Sequence, residues 1–123
     1  MGISTDLAGD LYRIQELTTA DREQLRKLII DFFAAAYAGY RQNRAFNHAV
    51  ENAVYSQGGS EESCVLFQKK RYPARMAAFM NALYGHGAEL DDGNKKAAGH
   101  AGVHLIPAVL LLRIKQGVRR KMS

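Results

Sequence analysis

From Leu25 to Tyr40 the apolar residues fall at steps of three and four: Leu25, Leu28, Ile29, Phe32, Phe33, Ala36, Tyr37 and Tyr40. That spacing returns side chains to one side of a helix and commits the stretch to a long α-helix. Thr18 or Thr19 is placed to cap its start, because Asp21 and Glu23 then stand in the first turn, where the helix dipole favours acids. Gly39 marks a weak point near its end. The same period predicts a shorter helix over Thr5–Glu16, carried by Leu7, Leu11 and Ile14. It predicts a third over Phe46–Tyr55, with Ala49, Val50 and Ala53 turned inward. A fourth helix, rich in Ala and Met, is expected over about 73–91 with Pro73 as its first residue. A fifth is expected over 107–116, with Pro107 near its start. The fold class is therefore all-α, about five helices with long loops.

Between these helices, Gln57–Ser63 has no periodicity and reads as a loop, and Cys64–Phe67 is too short to separate a strand from an extended connection. Lys69, Lys70 and Arg71 form a basic connector into the fourth helix. No repeat or interdomain linker interrupts the 123 residues, so the chain is read as a single domain, 1–123. Its helices at 21–40, 73–91 and 107–116 are apolar over most of their circumference, which implies partners beyond the chain's own surface. The expectation is a partial helical domain that forms a homo-oligomer or is covered by further sequence.

Charge narrows the partners. The formal charge is +5, from 17 basic and 12 acidic residues, and such an excess raises nucleic acid as a partner. Arg113, Lys115, Arg119, Arg120 and Lys121, however, lie in the last eleven positions, leaving 12 basic against 12 acidic groups before them. The body is neutral and only the tail is basic, so no nucleic-acid partner is expected. The longest apolar runs, such as Ile106–Leu112, fall far short of the roughly 20 residues that span a bilayer, so no membrane partner is expected either. The start lacks the basic-then-apolar order of a secretory signal. Gly2 invites myristoylation, but Asp6 stands where that motif prefers Ser or Thr. A single cysteine, Cys64, fits a reducing, cytoplasmic setting and reads as a buried apolar residue.

Chemistry concentrates between Asn81 and Pro107. His86, Glu89, Asp91, Asp92, His100 and His104 lie there among glycines 85, 87, 93, 99 and 102, at a helix end and in the loop beyond it. Carboxylates and imidazoles on such a loop suit acid/base work. Simpler readings stand beside that one. His86 and Glu89, three apart, can bond to each other on one helix face. Asp91 and Asp92 can be solvated or can cap the following turn. His100 and His104 have the four-residue spacing of a zinc helix, but no HExxH glutamate accompanies them. Gly102 between them and Pro107 beyond also speak against a helix there. The spacing thus assigns no metal and no cofactor.

In this stretch the sequence resembles the MmgE/PrpD family, which includes 2-methylcitrate dehydratase, cis-aconitate decarboxylase and iminodisuccinate epimerase. The resemblance is carried by Ala77-Ala78-Phe79-Met80-Asn81-Ala82, His86, Glu89-Leu90-Asp91-Asp92-Gly93, His100-Ala101-Gly102 and Ile106-Pro107-Ala108. Their order and spacing match the family over about thirty residues, and Ile30-Asp31 with Ala38-Gly39 extends the likeness upstream. The resemblance implies the N-terminal part of a larger helical domain, the N-terminal quarter of the family's chain, without its lid domain. It implies cofactor-free proton abstraction next to a carboxylate of a small di- or tricarboxylate, ending in dehydration, decarboxylation or epimerisation. His100, Glu89 and Asp91 then map onto catalytic positions, with Asp92, His86, Gly93 and His104 about the substrate. Gly93 stands where the family often has a hydroxyl residue, Asn94 where Trp or His is common, and Ala101 replaces the proline of His-Pro. On this reading the chain is inactive alone, since the family draws further Lys and His residues from downstream. The alternative is a non-catalytic helical module that associates through its apolar faces.

Overall fold

A computed structural model describes residues 2–14, 16–96 and 98–110. It contains helices α1 (Ile3–Arg13), α2 (Thr19–Gln42), α3 (Arg44–Ser56) and α4 (Ala74–His86), with two short strands, β1 (Ser63–Cys64) and β2 (Arg71–Tyr72), between α3 and α4. Residues 101–110 form a further helix, α5. The mostly helical expectation holds. The basic tail and the part of the predicted fifth helix beyond residue 110 lie outside the described residues.

The start of α2 follows the sequence rule closely. The Thr18 hydroxyl accepts from the Asp21 backbone N–H at 3.1 Å, while the Asp21 carboxylate accepts from the Thr18 N–H at 3.0 Å. These reciprocal bonds satisfy donors that a helix N-terminus leaves free. The Asp21 carboxyl is held below its ordinary range chiefly by the Thr18 hydroxyl, which donates to it at 2.7 Å, and then by the Thr18 N–H.

The core forms where α2 packs on α4, with the hairpin and α3 closing one side. Phe32, Ala36, Val54, Val65, Tyr72, Ala77, Met80 and Tyr84 are its buried residues. Gly39 is no weak point. It is buried inside α2, and a Cβ there would collide with the Tyr84 carbonyl and crowd Gly87. Across the same seam, a Cβ on Gly85 would meet the Phe32 ring at 2.6 Å. Small residues let the two helix backbones approach, and this contact fixes where α4 ends.

On α3 the inward face differs from the expected one. Ala49 and Ala53 are exposed and Val50 is half-buried, whereas Asn47 and Val54 are buried. The reason is a polar bond: Asn47 Nδ2 donates to the carbonyls of Gly39 and Tyr40, at 3.1 and 3.3 Å. These are among the last carbonyls of α2, where the helix runs out of its own donors; the Gly39 carbonyl also accepts from the capping Asn43 N–H at 3.3 Å. Bonding them rotates α3 so that an amide faces inward.

The run after Ser63 resolves as an antiparallel pair, with Ser63 opposite Tyr72 and Cys64 opposite Arg71. Alternation in this ribbon turns Ser63 and Val65 inward and Cys64 out, so the expected burial of Cys64 is corrected. Asn81 ties the ribbon to α4. Its Oδ1 accepts from the Leu66 N–H at 2.8 Å and its Nδ2 donates to the Cys64 carbonyl at 3.3 Å. The ribbon returns the favour at the other end, where the Glu62 carboxylate accepts from the Ala74 N–H in the first turn of α4.

Candidate functional site

α4 runs from Ala74 to His86, with Pro73 as its N-cap rather than its first residue, and the helix stops there rather than continuing to residue 91. Gly87 lies against Gly39 of α2, and its carbonyl accepts from Asn43 Nδ2, so the chain is pinned as it leaves the helix. Glu89 then adopts φ 51°, a left-handed conformation that no helix continues. His86 and Glu89 therefore do not share a helix face, and the proposed pair between them is replaced by another. His86 Nδ1 lies 3.0 Å from Asp91 Oδ1 and 3.2 Å from Asp91 Oδ2. An ionised carboxylate only accepts, so this contact calls for a proton on His86 Nδ1.

Beyond Asp92 the chain makes a closed excursion. Asn94 and Gly99 pair as an antiparallel bridge, and the Lys96 N–H donates to the Asn94 side chain at 2.9 Å in the turn between them. This loop delivers His100 back to the end of α4. Its Nδ1 lies 3.1 Å from Asp91 Oδ2, and its ring sits edge-on to His86 with 5.1 Å between centroids. That contact is off the line of a hydrogen bond, and His100 Nδ1 is buried with no hydrogen-bond partner. The result is an imidazole–carboxylate–imidazole group. The Asp91 side chain is 1% exposed, while those of His86 and His100 are 52% and 42% exposed.

The adjacent aspartates do different work. Asp92 Oδ1 accepts from the Gly102 N–H at 3.0 Å, capping the first turn of α5. A Cβ at residue 102 would collide with that carboxylate, so the glycine is what lets the cap approach. This cap explains the correction at α5. Gly102 and Pro107 argue from propensity against a helix over 101–106, yet α5 begins at residue 101 and Pro107 lies buried within it. A capping carboxylate and burial of Val103 and Pro107 outweigh the propensity penalty.

Of the residues singled out in the sequence, the fold thus gathers His86, Asp91 and His100. Glu89 is exposed on the turn beside them, and Gly93 is exposed with open space about its Cα. Asp92 is engaged as a cap. His104 is exposed on α5 and is not one of the clustered donors, so the His100–His104 pair suggested by spacing is not the one assembled.

A second polar group lay beyond sequence reasoning. The Tyr84 hydroxyl donates to Glu51 at 2.6 Å and accepts from Gln68 at 3.2 Å, joining α4, α3 and the hairpin. Burial, reinforced by the hydrogen bond to Glu51, raises the Tyr84 pKa well above the ordinary tyrosine range. Partners 33 and 16 residues away leave no local signal in the sequence.

Residues 10–117 match the model of the MmgE/PrpD N-terminal domain. The chain belongs to the MmgE/PrpD family. The match spans α2 to α5 and includes every member of the imidazole–carboxylate group. No curated protein and no solved structure was found to match the chain. Among the described residues, no helix is long and apolar enough to cross a membrane.

Proposed function

We propose that this MmgE/PrpD domain supplies the acid/base loop of a lyase or isomerase acting on small di- or tricarboxylates. The observation that carries the reading is the buried Asp91 carboxylate set between two half-exposed imidazoles. A carboxylate behind an imidazole fixes its tautomer and stabilises the imidazolium formed when the ring takes a proton. His100 faces Asp91 through Nδ1 at 3.1 Å, so the carboxylate stabilises its imidazolium through space, and Nε2 is the nitrogen left to act as the base. It removes the proton from the carbon next to a substrate carboxylate, and the electron pair left behind forms an enolate-like species. Loss of the β-hydroxide, protonated to water by Glu89, completes dehydration, and return of a proton on the opposite face completes epimerisation; in decarboxylation the enolate forms instead as carbon dioxide leaves with the C–C electron pair held by the substrate, and a protonated imidazole then delivers the proton to carbon. Glu89, at the rim, is the second proton-transfer group, and Gly93 leaves room for substrate against the backbone. No cofactor enters this scheme. Stabilising the enolate takes cationic or hydrogen-bonding groups aimed at it. Lys95 and Lys96 are exposed at the loop tip, and on this reading the 123-residue chain alone binds such acids without turning them over.

The test is a titration of the chain with cis-aconitate, 2-methylcitrate and tricarballylate, followed through the imidazole resonances of the four histidines. Selective shifts at His86 and His100, lost in Asp91→Asn, support the reading. No shift at millimolar acid, or equal shifts at His48, would sink it. Turnover by the isolated chain that is abolished by His100→Ala would overturn the inactivity and leave the base assignment standing.

A second reading is favoured by α1, which buries none of its residues. Ile3, Leu7, Leu11 and Ile14 on or beside it, with Leu25 and Ile30 on α2, are all exposed. A surface of this kind marks an association face. On that reading the chain forms a homodimer and the histidine loop has no substrate. A dimer by light scattering, with no response of His86 or His100 to any polycarboxylate, is its signature.

A further inference from the structure

We infer that His86, Asp91 and His100 form a binding site for a single divalent transition-metal ion of the zinc or cobalt type. The inference concerns the same three residues as the proposed carboxylate chemistry but does not rest on it. One ligand atom from each residue, a ring nitrogen of both histidines and an oxygen of Asp91, lies within 4.8 Å of the others, and Nδ1 is the nitrogen that each ring turns to the carboxylate. With Asp91 Oδ2 as the oxygen ligand, two of the three edges, at 3.2 Å to His86 Nδ1 and 3.1 Å to His100 Nδ1, are close to the roughly 3.3 Å that separates neighbouring ligands around a tetrahedral zinc with bonds of about 2.0 Å. The third, between the imidazole nitrogens, closes by rotation of the two half-exposed rings about their side-chain bonds.

Two further observations point to a cation. The Asp91 side chain is 1% exposed, and among the described residues no lysine or arginine pairs with it. A buried carboxylate needs compensation, which here comes either from protons on the imidazoles or from a metal between them. In addition, His100 Nδ1 is buried, aimed at the carboxylate and without a hydrogen-bond partner. A nitrogen in that position serves a metal through its lone pair better than it serves Asp91 through a misaligned N–H. Two imidazoles and one carboxylate select zinc, cobalt or nickel over magnesium and calcium, which prefer all-oxygen sites. Three protein ligands leave a fourth position open to water or an anion.

Metal binding also sets the tautomers. Both Nδ1 atoms give their lone pairs to the ion, so each neutral ring carries its proton on Nε2. His100 then has no free Nε2 lone pair, and the metal-bound form is closed to the base role proposed above.

The experiment titrates the full chain, freed of metal by chelation, with Co²⁺ alone while recording its visible d–d absorption, then displaces the cobalt with Zn²⁺. One equivalent of Co²⁺ giving the intense spectrum of a four-coordinate site is expected, with binding weakened at least about tenfold in each of His86→Gln, Asp91→Asn and His100→Gln. His48→Gln and His104→Gln are expected to bind as the parent does. Because His86 is at the surface, His86→Gln tests the site even if Asp91→Asn fails to fold. Absence of binding at millimolar Co²⁺, wild-type binding by His86→Gln and His100→Gln, or loss of binding in His48→Gln or His104→Gln overturns the proposal. The readout is metal binding rather than turnover or acid binding, so its failure is separate from failure of the carboxylate reading.

Discussion

Replacing Asn81 by leucine removes a buried amide and puts an alkyl group of similar shape in its place. The amide is 5% exposed and bonds two backbone groups of the hairpin segment across a gap of more than a dozen residues. The stronger loss is the 2.8 Å bond from the Leu66 N–H, which leucine leaves without an acceptor in a half-buried position. Stranding a donor in this way costs about 1–3 kcal/mol. The Cys64 carbonyl, held at 3.3 Å beside an exposed residue, turns to water and adds little. A destabilisation of about 2 kcal/mol follows, and for a domain of this size it lowers the melting temperature by about 6–10 °C. Urea unfolding followed by circular dichroism gives the free energy, and hydrogen exchange at the Leu66 amide reports the bond itself. Asn52→Leu, at an exposed site on α3, is the control and is expected within about 0.5 kcal/mol of the parent. If Asn81→Leu is equally neutral, or if Leu66 keeps its protection, the amide does not hold the hairpin to α4 and the account of this seam is wrong.

Three other outcomes follow from the packing and the titrating groups. Tyr84 has its pKa raised in the folded chain, so its contribution to stability is fully present below the unfolded value near 10 and is lost as the pH rises beyond it; Tyr84→Phe should flatten that alkaline decline in a melting-temperature profile. Gly39→Ala places a methyl group against the Tyr84 carbonyl and Gly87, and should destabilise the chain by about 1–3 kcal/mol although alanine is the better helix former. Cys64, exposed beside Arg71, should react with a thiol reagent in the native state at nearly the rate of the unfolded chain, whereas protection until unfolding would contradict the strand alternation.

Local signals carried the helices well. The capping box at Thr18 is a three-residue pattern, and the period from Leu25 to Tyr40 is visible in any window of the sequence. Errors arose where a distant partner decided the outcome. Propensity makes the glycine at position 39 a weakness, because it carries no information on the Tyr84 carbonyl that passes there. Asn47 was overlooked as an inward residue, because its value lies in the last carbonyls of the preceding helix. At the candidate site, the residue types were legible and their pairing was not. The sequence listed six acids and histidines; it offered His86 with Glu89 and His100 with His104 because short spacings are what a sequence displays.

The sequence alone determined the helical class, the start of α2, the family and the segment holding the acid/base residues, because these depend on neighbours within a few positions. Tertiary structure decided which of those residues meet. The packing of Gly39 and Gly85 at the α2–α4 seam ends α4 at His86. The turn at Glu89 then sends Asp91 inward, and the Asn94–Gly99 bridge returns His100 to it. A carboxylate can be shared by two imidazoles fourteen positions apart only after a chain reversal between them. That reversal is set by backbone conformation and close packing, which no spacing in the sequence records.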